Sequence, residues 1–172
     1  SLTFSINGVA SSTVMEGITT DITTTSTTIP LGVVSFDTDI EAAQQLIVST
    51  NATEGYKIYM FERSNLKNTS NTTISDVTGT NASPSAWSTG CTSSLLSCFG
   101  YHSSDGTLAG ASTRFSADDT YAALDSVSRE IAYDGGPVTF QTTDIVFKFK
   151  FTDQQESGNY NNQVVYIVTP VF

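Results

Sequence analysis

The chain has 172 residues, enough for one domain with a substantial core, and its 17 acidic side chains against 7 basic ones give a formal net charge of -10. The few Lys and Arg form no cluster, which excludes nucleic acid and anionic membrane surfaces as partners. No apolar stretch approaches the roughly 18 residues that a membrane-spanning helix needs, so direct membrane insertion is not expected.

Charged residues make up 14% of the chain, below the globular norm of about 25%, whereas Ser and Thr together number 50. Solubility therefore rests on hydroxyls and amides. Thr is both β-branched and polar, which suits the solvent face of a strand. A hydrophobic share of 38% with 10% aromatics is too high for a disordered polymer. The opening "SLTFSI" has no initiator Met and no signal-peptide pattern follows, so Ser1 reads as a processed start.

In "LTFSING", Leu2, Phe4 and Ile6 alternate with polar residues, as in a half-buried strand. Asn7-Gly8 then predicts a two-residue hairpin turn. "ITTDITTTSTTIPLGVVSF" reads as strand and turn rather than mucin-like stalk, because Ile18, Ile22 and Ile29 recur in it. "QQLIVSTNATEGYKIYMFE" reads as strand, turn, strand, with Tyr56, Ile58 and Met60 on one face and Lys57 and Tyr59 on the other. Residues 63–90 are Asn-, Ser-, Thr- and Gly-rich and read as loop, with Trp87 as the one large anchor.

Cys91 and Cys98 follow in "GCTSSLLSCFG". With one His in the chain and no CxxC, a zinc site lacks ligands, so a local disulfide is expected and with it an oxidising, extracellular location. "FSADDTYAALDSV" is the one stretch with helical character: Ser116 can cap it, and Asp118 and Asp119 suit a first turn. "REIAYDGGPVTF" reads as strand, Asp-Gly-Gly turn, strand. "DIVFKFKF" alternates throughout, with Ile145, Phe147, Phe149 and Phe151 opposite Val146, Lys148 and Lys150. After the loop "TDQQESGNYNN", the run around Val164, Tyr166 and Val168 forms the last strand. Eight to ten short strands with at most one short helix predict an all-β chain, folded over residues 1–172 as one antiparallel two-sheet β-sandwich of immunoglobulin-like or jelly-roll-like type.

Four stretches, "TTIPLGVVSFDTDIEAAQQLIVSTNATEGYKIYM", "CFGYHSSD", "REIAYDGGP" and "ESGNYNNQVVYIVTPVF", together resemble secreted β-sandwich modules of bacterial cell-surface proteins, notably from candidate-phylum genomes. The resemblance runs from about residue 18 to the end and is densest in the closing strand, through Gly158, Tyr160, Asn162, Val164, Tyr166, Pro170 and Phe172. It implies an extracytoplasmic, surface-associated module and supplies no catalytic residues.

No motif assigns a reaction. His102 neighbours Ser103, Ser104 and Asp105, but a nucleophilic triad is assembled in space and not in sequence, and no G-x-S-x-G elbow is present. Asp118 and Asp119 are adjacent, unlike the separated carboxylates of a glycosidase. Asp37 and Asp39 could present two carboxylates to Ca²⁺, although the EF-hand pattern is absent and a solvated acidic turn explains them as well. No other cofactor is implied. N-x-Ser/Thr sequons stand at Asn51, Asn68, Asn71 and Asn81, with Asn68 and Asn71 the best placed for glycosylation. Trp87, Tyr101 and Tyr121 are candidates for a sugar-stacking surface. Finally, "SLTFSI" can pair within its own sheet or be donated to a neighbour, with Leu2, Phe4 and Ile6 filling the neighbour's groove. The expected function is a non-enzymatic structural subunit of a surface filament, pilus-like fibre or layer that self-associates by strand pairing. The alternative is an adhesin or carbohydrate-binding module that takes a glycan or host-surface ligand through residues 63–101.

Overall fold

The computed structural model describes residues 1–92 and 97–172. Its elements are β1 (Leu2–Gly8), β2 (Val14–Met15), β3 (Ile18–Thr19), β4 (Asp39–Thr50), β5 (Tyr56–Glu62), β6 (Ser75–Asp76), β7 (Ser85–Ala86), α1 (Trp87–Gly90), β8 (Ser97–Ser103), β9 (Thr107–Leu108), β10 (Ser112–Thr113), β11 (Thr120–Tyr121), β12 (Arg129–Asp134), β13 (Val138–Phe151) and β14 (Val164–Pro170). Two sheets face each other: β1-β4-β13-β8-β6 and β12-β5-β14. The pairs β2-β3, β7-β11 and β9-β10 are small ribbons on the surface of this sandwich. Every pairing is antiparallel except β6 with β8, which is parallel.

Period-two patterning builds the interior. Ile145, Phe147, Phe149 and Phe151 of β13 enter the core with Leu46 and Val48 of β4, Phe99 and Tyr101 of β8, and Tyr56, Ile58 and Met60 of β5. Phe99 and Phe149 stack at 4.8 Å. Each fully buried side chain of this kind contributes roughly 1.5–3 kcal/mol.

The two clearest strand–turn–strand units are not hairpins. β4 pairs with β1 and β13, and β5 pairs with β12 and β14, so residues 51–55 cross from one sheet to the other. The Asp-Gly-Gly segment between β12 and β13 crosses back. The two crossings touch. Gly55 has φ +74°, and a Cβ there would lie 1.9 Å from the Asp134 carbonyl oxygen, which leaves room only for glycine. Both chain ends reach the same place: Asn51 Oδ1 accepts from the Ser1 amino group, and the Val171 amide donates to the Gly55 carbonyl at 2.9 Å.

Other expectations are corrected. Asn7-Gly8 makes no hairpin turn; both residues lie inside β1, opposite Gln45 and Gln44. Gly8 serves a close approach instead, since a Cβ there would lie 2.2 Å from the Thr24 carbonyl oxygen. The Thr-rich segment after Ile18-Thr19 holds no long strand. Thr24 binds it to β4 instead, with Oγ1 donating to the Ala43 carbonyl at 2.5 Å. Residues 63–90 are not all loop: they contain β6, β7 and the single helical turn α1. The stretch after Ser116 is not a helix. It turns and enters β11, because an extended chain lets Tyr121 cover one sheet while Ala122 bonds Tyr101.

Candidate functional site

Two features of the five-stranded sheet could carry function. The first is its free edge. β1 pairs residue for residue with β4, from Leu2 opposite Thr50 to Gly8 opposite Gln44. Leu2, Phe4 and Ile6 pack against the core from this edge. β1 has no second strand neighbour among the described residues, and neither has β14 in the other sheet. The two edges lie on the same flank, since the Tyr166 hydroxyl of β14 donates to Gln44 Oε1 of β4 at 3.1 Å. The closing run is an edge strand whose Tyr166 is anchored across the sandwich.

The second feature is on the outer face of the same sheet, which is not solvated as its polar residues suggest. Residues 9–20, α1 and β11 cover it, through Val9, Met15 and Ile18 over Ala43 and Val146 and through Trp87 and Tyr121 over Cys98 and Val77. Gly100 permits this close layer, since a Cβ there would lie 2.8 Å from Val77 Cγ2. The disulfide Cys91–Cys98, with Cα atoms 5.6 Å apart, ties the end of α1 to β8 as expected from the sequence. Residues 93–96, between the two cysteines, lie outside the described residues.

Lys148 lies under this layer, only 8% exposed. Its Nζ is 3.0 Å from Glu41 Oε1, 3.2 Å from Asp119 Oδ1 and 3.5 Å from Asp39 Oδ2. Trp87 and Tyr121 close over it, their ring centroids 5.2 and 5.6 Å from Nζ. Glu41 also meets Asp21, whose Oδ2 accepts the Glu41 amide at 2.8 Å. Burial, followed by the Asp21 contact, pushes the Glu41 carboxyl up to about 7 against the opposing pull of Lys148. Burial pulls the Lys148 ammonium down, but its contacts with Glu41 and Asp119 outweigh that and hold it above the ordinary lysine value. At the far end of β5, burial and the charge of Asp76 push Glu62 up to about 7, and burial pushes Asp76 to about 6.

The other sequence candidates are placed as follows. His102 is buried, with Nδ1 2.8 Å from the Thr120 carbonyl oxygen and Nε2 3.9 Å from Glu16 Oε2. Its neighbours serve backbone: Ser103 Oγ donates to the Ile131 carbonyl, Ser104 Oγ accepts the Asp144 amide, and Asp105 Oδ2 accepts the Tyr133 amide. Asp39 is engaged with Lys148, whereas Asp37 sits in an exposed turn at φ +56°. No three His, Cys, Asp or Glu side chains among the described residues are grouped to hold a metal.

Trp87, Tyr101 and Tyr121 do not form one stacking surface. All three are buried, Tyr101 between the sheets and Trp87 and Tyr121 against the outer face. Asn68 is not an open glycan acceptor: it is 5% exposed, Oδ1 accepts the amides of Ser70 and Thr72, and Nδ2 contacts Glu156 and Tyr160. Asn81 is likewise committed, with Nδ2 donating to Tyr101 and to the Glu130 carbonyl and Oδ1 accepting from the buried Arg114. Asn51 and Asn71 are exposed.

The Lys148 cluster is not evident in the sequence. Lys148 alternates with Phe147 and Phe149 and so reads as solvent-facing. Its partners come from positions 39–41 and 119, and its cover from positions 87 and 121. No protein-family model matches this chain, and no curated protein or solved structure is found similar to it.

Proposed function

We propose that the protein is an extracellular structural subunit of a cell-surface filament, pilus-like fibre or layer, assembled by β-strand pairing between copies. The observation that carries this reading is β1. This edge strand packs on the core through Leu2, Phe4 and Ile6, yet reaches its partner β4 only through residues 9–38, which hold two two-residue strands. In an isolated copy β1 closes its own sheet. In a polymer the same seven residues occupy the β4 edge of the next copy, a low-cost exchange because the contacts are identical. A head-to-tail contact of this kind need not close, so it generates a fibre. The Cys91–Cys98 disulfide suits an oxidising location, and the resemblance of the closing strand to secreted surface modules points the same way.

Electron microscopy and sedimentation of concentrated protein test the reading. Polymers are expected from the full chain, and soluble non-polymerising protein from a chain lacking residues 1–8. A synthetic peptide of residues 1–8 should then bind the shortened chain. A full-length chain that stays monomeric at high concentration overturns the proposal.

A further inference from the structure

We infer that the protein binds a single neutral sugar unit in a polar cavity at one corner of the sandwich, where β8 stops and β13 runs on. The inference goes beyond the strand-exchange reading and is independent of whether the protein polymerises. The corner follows from unequal strand lengths. β8 ends at Ser103, opposite Ile145, whereas β13 extends back to Val138 and pairs there with β4 alone. The gap this leaves is a cavity of about 190 Å³. Tyr56, Ser104, Asp105, Gln141, Thr142 and Thr143 line it, and Gly106 and Tyr133 complete the wall. Tyr56 and Thr143 form its floor, 1% and 4% exposed, while Gln141 and Thr142 stand exposed at its mouth.

A bulge in β13 aims one of these groups. Val138 lies opposite Thr50 and Gln141 opposite Val48, so β13 carries one residue more than β4 over this span. The extra residue puts Gln141 on the inner side with Thr143 and Ile145, and it turns Phe140 outward, 75% exposed at φ +52°. A large aromatic in the left-handed region that adds nothing to the core is backbone strain retained for position.

The lining selects the ligand. No Lys, Arg or His among the described residues lines the cavity, so nothing there neutralises an anion. The Asp105 carboxylate is already met by fixed donors: Oδ1 accepts the Thr107 amide and hydroxyl at 2.9 and 2.7 Å, and Oδ2 accepts the Tyr133 amide at 2.6 Å. A bare divalent cation needs more free oxygen ligands than that leaves. An apolar ligand would strip water from the amide and the hydroxyls without replacing it. A neutral polyhydroxyl ligand both donates and accepts, as do the side chains of Tyr56, Gln141, Thr142 and Thr143. The cavity has the volume of about six waters, which suits one pyranose ring and admits a longer glycan only by its terminal unit.

Proton–nitrogen correlation spectra of the full chain test this, with glucose, galactose, mannose and N-acetylglucosamine titrated separately. At least one sugar is expected to shift the amides of residues 104–106 and 141–143, with a dissociation constant of about 1 mM. Gln141→Ala, at an exposed position, should raise that constant roughly tenfold without disturbing the rest of the spectrum. Thr143→Val, nearly isosteric, should weaken binding of the same sugar. Ammonium chloride and sodium phosphate should leave those amides unmoved. No shift from any of the sugars overturns the inference. So do shifts confined to residues 63–101, a titration unaltered in both variants, or an ammonium response at the corner that the sugars do not reproduce.

Discussion

The hydroxyl of Tyr166 in β14 donates to Oε1 of Gln44 in β4, 3.1 Å across the sandwich, while Gln44 Nε2 donates to the Thr25 carbonyl at 2.8 Å. One glutamine therefore joins the closing strand, the five-stranded sheet and the segment that follows β3. Tyr166→Phe removes the donor and leaves a half-buried acceptor behind. A loss of about 1–2 kcal/mol is expected, read as a lower urea midpoint at unchanged slope.

Phe4 is the middle anchor of β1. Its ring packs on the core from the sheet edge and remains partly exposed. Phe4→Ala should cost about 2 kcal/mol, below the range for a fully buried phenylalanine, and should weaken polymers in proportion. The check is chemical denaturation of the monomer alongside sedimentation of concentrated protein.

Stability should fall as pH rises through neutrality. Glu62 and Asp76 bind protons more tightly in the folded chain, at about 7 and about 6, than a free carboxyl does. Between the free value and those values the native state holds more protons than the unfolded one, so the stability these groups give is present in acid and lost by about pH 7. The pairing of Asp125 with Arg129 acts in the opposite sense, at lower pH, because it holds that carboxyl below its usual range. The melting temperature at pH 5 should therefore exceed that at pH 8, and Glu62→Gln should remove much of the difference. Glu41, held up to about 7 by burial and the Asp21 contact, adds to the same slope.

The disulfide bond anchors the outer layer. Replacing Cys91 and Cys98 by Ser should cost about 2–3 kcal/mol on the chain-entropy model. Trp87, the sole tryptophan, packs edge-on against Tyr121 at 5.2 Å in that layer. Its fluorescence should shift to the red at lower denaturant in the double variant than in the parent.

The sequence by itself determined the strands with a strict period of two, because burial on one face leaves no other pattern. β13 and β5 carry their core residues where alternation put them, and Cys91 and Cys98 form the local disulfide that their spacing led one to expect over two free thiols. It also reached the correct class, an all-β sandwich. Partnership was left to the tertiary structure. Alternation says which way a side chain points, not which strand lies beside it, so two apparent hairpins became crossings between sheets. The same gap hid Lys148. A lysine alternating with phenylalanines points away from the core, and only the folding of Trp87, Asp119 and Tyr121 onto that face turned solvent into a closed, charged site. Such a cover depends on contacts between residues far apart in the chain, and a local pattern carries no record of them.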